Sequence, residues 1–170
     1  MQLMLQHFAV WLSATHVSLF IQNVLWIIPA VQCVHIVAIA VVMSSVGMID
    51  LRIFGMAERQ ATVSQTADRY VPWIWGALAV LAVTGVTLVT GEPVRSLTNP
   101  AFQLKMLMLL AAVIVTVAFQ MTVRRNAGLW DQSPQAAPAI KIVALMTLLL
   151  WFAIAVAGRW IAYMVLDYAA

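Results

Sequence analysis

The run Ala30-Val31-Gln32-Cys33-Val34-His35-Ile36-Val37-Ala38-Ile39-Ala40-Val41-Val42-Met43-Ser44-Ser45-Val46-Gly47-Met48-Ile49 contains no Asp, Glu, Lys or Arg. A helix that crosses a bilayer needs about 20 predominantly apolar residues. This run has that length and composition and reads as a transmembrane helix. Pro29 stands at its start, where the missing N–H of proline costs nothing. Three further runs read the same way. One lies at about Trp73 to Thr90, between Pro72 and Gly91-Glu92-Pro93. The next lies at about Ala101 to Val123, after Asn99-Pro100, and the last at about Ala139 to Val165, after Pro134 and Pro138. The expected fold is all-α: a four-helix transmembrane bundle forming one membrane domain over residues 1–170. Ala153/Ala157 and Gly158/Ala162, spaced by four, let helix backbones approach closely where lipid supplies no hydrophobic incentive.

Composition agrees. Hydrophobic residues make up 64% of the chain and charged residues 9%, against about a quarter charged in soluble domains. The net charge of +3 is scattered, with no basic tract for nucleic acid. Cys33 is the single cysteine, which excludes an internal disulfide and a Cys-cluster metal site. No Ser/His/Asp set, phosphate loop or acidic dyad is present. The first dozen residues hold no Lys or Arg and no A-x-A site follows in the next twenty, so the first spanning helix is expected to direct insertion itself. The expected partners are the lipid bilayer and either another protein or a second copy of the chain.

The stretch Leu3 to Gln22 is long enough to span but polar on two faces. Gln2, Gln6, Ser13, His16 and Asn23 fall on one; His7, Thr15, Ser18 and Gln22 fall near the other. It reads as a helix lying in the membrane interface, with Phe8 and Trp11 at the headgroups. A fifth span is the alternative.

Three cationic or basic side chains lie inside the spans: His35, Lys105 and Arg159. Counted from the nearer span end, each lies roughly 6–10 Å below the same interface. Gln32 shares the face of His35 one turn earlier, Tyr163 follows Arg159 by one turn, and Thr90 and Glu92 end the second span at a similar level. An ionisable group inside a bilayer is expensive unless paired, hydrated or ligand-bound, and so marks a candidate site. Imidazole suits haem iron or another metal, and the cations suit an anionic group such as a propionate. The bland readings are snorkelling of Lys105 and Arg159 to the headgroups, a hydrogen-bonded core His35, or an ion pair of either cation with Glu92. Asp50 and Arg52 read as an ion-paired cap with loop residues. The ten methionines read as core filler rather than copper ligands.

Val34-His35-Ile36 leading to Ile49-Asp50-Leu51-Arg52-Ile53-Phe54-Gly55 resembles the first span of an uncharacterised family of bacterial four-helix inner-membrane proteins. So do Thr84-Gly85, the run Asn99-Pro100-Ala101-Phe102-Gln103-Leu104-Lys105-Met106, and the run Ala157-Gly158-Arg159-Trp160-Ile161-Ala162-Tyr163. More distantly, the early-span His, the Thr-Gly and the Lys-bearing span are similar to the membrane protoporphyrinogen oxidase family and the copper resistance protein D family. The first of these implies haem b, with its His and Lys falling on His35 and Lys105.

The expected function is therefore that of an integral membrane protein with an intramembrane polar site. That site would bind haem b or another anionic redox cofactor. His35 would be the iron ligand, Lys105 and Arg159 the anion partners, and Gln32 and Tyr163 their neighbours. The alternatives are a non-catalytic accessory or anchor subunit, and copper handling.

Loop charge sets the expected orientation. Arg52, Arg59 and Arg69 follow the first span, and Arg124, Arg125 and Lys141 follow the third; the loop after the second holds only Arg95. Basic loops stay in the cytoplasm, which places both termini in the periplasm of a bacterial inner membrane. A reporter fused at Gln65 should then give a cytoplasmic signal and one fused at Ala170 a periplasmic signal; the reverse pair would defeat this topology.

Overall fold

The computed structural model describes residues 2–125, 128 and 138–160. Among them there is no strand. In chain order the helices are α1 (Gln2–Ser13), α2 (His16–Asn23), α3 (Ile27–Ile53), α4 (Val63–Gly91), α5 (Pro93–Leu97), α6 (Pro100–Arg125) and α7 (Pro138–Trp160). Of these, α3, α4, α6 and α7 are long and apolar enough to cross a membrane. Residues 161–165 of the expected fourth span, Tyr163 among them, lie outside the described residues.

The core is a seam between α3 and α4, the most extensive helix–helix contact in the molecule. Val42, Val46, Ile49 and Ile53 of α3 meet Val63, Ala67, Val71 and Ile74 of α4. Both sets recur at intervals of three and four, so each forms one stripe down its helix. Ala112 and Val123 of α6 and Ala144, Trp151 and Ile154 of α7 complete the buried cluster. Large apolar side chains on the outside, such as Ile36, Leu107, Ile114, Met146 and Phe152, are exposed. A lipid solvent suits that surface.

Helix α4 begins well before the expected start at Trp73. Thr62 accepts a bond from the Gln65 N–H at 3.2 Å, and the Gln65 side chain accepts from the Thr62 N–H at 3.0 Å. This reciprocal capping box starts the helix at Val63. Pro72 sits inside it rather than at its head. Proline removes one helical N–H, and here Pro72 and Asp68, one turn earlier, are both exposed, so the freed carbonyl is not sealed in the core.

The α3–α4 connection is closed by a glycine. Gly55 has φ 74°. The Gly55 N–H bonds to Arg52 O and the Met56 N–H to Leu51 O, both at 2.9 Å, which is the paired C-terminal stop that a left-handed glycine allows. Glu58 then gathers the start of α4: its carboxylate accepts from Arg69 at 2.9 Å, Tyr70 at 3.1 Å and Thr66 at 3.2 Å. Arg52 donates to Ala61 O. The expected ion pair of Asp50 with loop residues is not formed among the described residues. Asp50 sits on the buried stripe of α3, 5% exposed, next to Ile49 and below Ile53.

The N-terminal segment is two helices rather than one, bent by 69° at Ala14-Thr15. The Thr15 side chain accepts from the Ser18 N–H at 3.4 Å and starts α2. A 12-residue α1 is about 18 Å long, short of the about 30 Å hydrocarbon core; only with α2, as one bent span, is the segment long and apolar enough to cross. α2 is tied to α4 by Ser18 Oγ donating to Thr90 O at 2.6 Å, and α1 packs on α5. The pair forms a shelf at the end of the bundle opposite the α3–α4 loop, with Phe8 and Trp11 stacked at 5.8 Å and both exposed.

Two glycine substitutions should move stability in opposite directions. Gly47 lies inside α3, and a Cβ there would meet nothing within 4 Å; Gly47→Ala should stabilise by about 0.5–1 kcal/mol. Gly55→Ala, at a left-handed position, should destabilise by about 1–2 kcal/mol. Thermal unfolding in detergent reads both; a rise in Tm for Gly55→Ala would contradict the assigned stop.

Candidate functional site

His35 projects from α3 toward α4 about two turns from the shelf end of the helix. Its Nδ1 lies 2.7 Å from Thr84 Oγ1. Thr84 Oγ1 is also 2.7 Å from Val80 O. Two oxygens so close require a proton between them, and a hydroxyl has one. That proton is therefore on the bond to Val80 O, and Thr84 Oγ1 accepts from His35 Nδ1–H. The neutral imidazole then keeps an unprotonated Nε2, a lone pair available to a metal or a donor. A second-shell bond of this kind fixes both tautomer and ring orientation. Gly85 packs against the ring: a Cβ there would stand 3.7 Å from His35 Cε1, in ordinary van der Waals contact.

Lys105 enters from α6, half-buried. Its ammonium lies against α7, where a Cβ on Gly158 would come within 3.1 Å of Nζ. An alanine there would make the end of the lysine side chain give by a few tenths of an ångström. No carboxylate among the described residues stands at ion-pair distance from Lys105. Glu92, its expected alternative partner, is bound to Arg95 at 2.6 Å.

His35 is thus seated on α4 at Thr84 and Gly85, and Lys105 on α7 at Gly158. Arg159 is next in chain to Gly158, with an exposed side chain, and Gln32 is exposed on α3 one turn from His35. Tyr163 lies outside the described residues. Depth alone could have pointed to Thr84, which stands six positions before Thr90 at the level of His35, but a threonine in an apolar helix is usually bonded to its own backbone. Among the described residues, no group of three or more His, Cys, Asp or Glu could hold a metal ion; a metal here would rest on His35 with ligands of its own.

Residues 10–164 match the model of a family of unknown function, DUF6644, and the chain belongs to that family. No curated protein and no solved structure matches it.

The tautomer is directly measurable. In 15N-histidine NMR of the membrane-embedded protein, His35 should show a protonated Nδ1 and an unprotonated Nε2. Thr84→Val should erase that preference and cost about 1–3 kcal/mol, because it leaves the imidazole donor without its acceptor. An Nε2–H signal in the unmodified protein would invert the assignment.

Proposed function

We propose that this member of DUF6644 is a membrane redox protein whose α3–α4–α6–α7 layer binds an anionic cofactor, with haem b the best match. The observation that carries this reading is the pairing of a tautomer-fixed His35 with a half-buried Lys105 that has no carboxylate at ion-pair distance among the described residues. A lone pair on Nε2 is what haem iron takes from an axial histidine. An ammonium inside the bilayer without an acidic partner calls for an anion, and a propionate is one. The motif likeness to the protoporphyrinogen oxidase family supports the same pair of residues by analogy.

In this reading His35 holds the cofactor through Nε2, while Thr84 holds His35. Lys105 would neutralise the anionic edge, with Arg159, next in chain to Gly158, as a second cation. Bound haem supplies one-electron chemistry; the chain supplies orientation, charge balance and an apolar surround that excludes water.

A second reading is an accessory or anchor subunit in which Lys105 serves to lock α6 on α7. The seat of its ammonium on Gly158 and the exposure of Gln32 and Arg159 favour it.

An absorption spectrum of protein purified from its native membrane separates the two. The proposed function requires a Soret band, lost in His35→Ala and weakened in Lys105→Ala with the iron ligand retained. A trace with protein absorbance alone, with or without added haem, supports the accessory reading instead.

A further inference from the structure

A second polar site lies at the other end of the same seam. A cavity of about 40 Å³ opens between α3, α4, α6 and α7, toward the α3–α4 loop, lined by Val46, Ile74 and Phe119 among other apolar residues and by three polar ones, Asp50, Thr116 and Thr147. Asp50 is 15 positions along α3 from His35, about 22 Å away, so the two sites are separate.

Every polar group on the lining is an acceptor. Thr116 Oγ1 donates its proton to Ala112 O at 2.8 Å, and Thr147 Oγ1 donates to Val143 O at 2.9 Å. Both oxygens keep lone pairs and have no proton left to give. Asp50 Oδ2 is fully buried and has no hydrogen-bond partner among the described residues. Trp151 Nε1, the other such buried atom there, is a donor and is not part of the lining. A buried carboxylate without a partner is strongly disfavoured unless a counter-charge or proton joins it. Asp50 is the one ionisable residue on the lining: Lys141 is not part of it, and Arg52 is turned to Ala61 O.

We propose that Asp50, Thr116 and Thr147 form an intramembrane binding site for a monovalent cation of the size of sodium. One carboxylate balances one positive charge, and the two hydroxyl oxygens complete an all-oxygen, hard-ligand set of the kind that such ions take. The volume matches the ligand. At roughly 10–15 Å³ per water on this measure, the cavity has room for one ion with one or two waters. A divalent ion would need more negative charge than the lining supplies. The site is independent of the His35 layer and of what that layer binds.

Dicyclohexylcarbodiimide, which modifies protonated carboxyls in apolar surroundings, tests this on the intact protein in detergent or lipid. Mass spectrometry of the labelled protein should locate the adduct on Asp50. Sodium chloride should slow the reaction relative to choline chloride at matched ionic strength. The slowing should reach about fivefold where sodium stands at about four times its dissociation constant. Thr116→Val should keep the labelling and lose most of that protection, and Asp50→Asn should lose the adduct. Labelling indifferent to sodium and lithium would mean that Asp50 takes only a proton and would overturn the proposal, as would the absence of any adduct on Asp50 in the unmodified protein.

Discussion

The α3–α4 seam is the contact on which the rest of this molecule depends. In a bilayer each helix satisfies its own backbone, so a helix pair gains little from hiding apolar surface that lipid would cover equally well. What holds two such helices is close packing along a matched stripe and a few polar bonds that have no better partner. Val42, Val46, Ile49 and Ile53 against Val63, Ala67, Val71 and Ile74 supply the stripe. The bond between His35 and Thr84 fastens the seam toward one end, and the Gly55 stop with the Glu58 cluster closes the other.

Both candidate sites are consequences of that seam. His35 can be held in one tautomer because α4 places Thr84 at hydrogen-bond distance. Asp50 is buried because its position belongs to the same stripe as Ile49 and Ile53, and the turn that would have carried it to the loop ends at Ile53. α6 and α7 then bring the complementary groups: Lys105 over Gly158 at one level, Thr116 and Thr147 at the other. The two sites differ in sign. Near His35 the neighbouring charge is an ammonium, which suits an anion; around Asp50 the available groups are oxygens, which suits a cation.

The shelf formed by α1 and α2 shows how small polar residues direct a chain that is otherwise almost all apolar. Thr15 both ends one helix, by donating to Leu12 O at 2.7 Å, and caps the next. Ser18 then anchors the second helix to the last turn of α4. Without that bend the same residues would make one helix long enough to compete for a transmembrane position. With it, Ser18 is buried against α4 while Phe8, Trp11 and Phe20 stay exposed.

The sequence by itself determined the solvent, the fold class and the four long helices, because runs of about 20 apolar residues have few other physical solutions. It also marked His35 and Lys105, since a charge inside such a run is conspicuous. It misplaced the start of α4, where Pro72 outweighed a capping box ten residues earlier, and it read Asp50 as a loop partner because the residue stands at the end of an apolar run. Only the tertiary structure decided which threonines matter. A threonine in an apolar helix bonds its own backbone in either case; whether its oxygen also receives an imidazole, as at Thr84, or lines a cavity, as at Thr116, depends on which residue of another helix stands opposite. The inward turn of Asp50 was decided at the same level, for a physical reason that no single run contains. The stripe that buries it exists only once α3 and α4 are packed together.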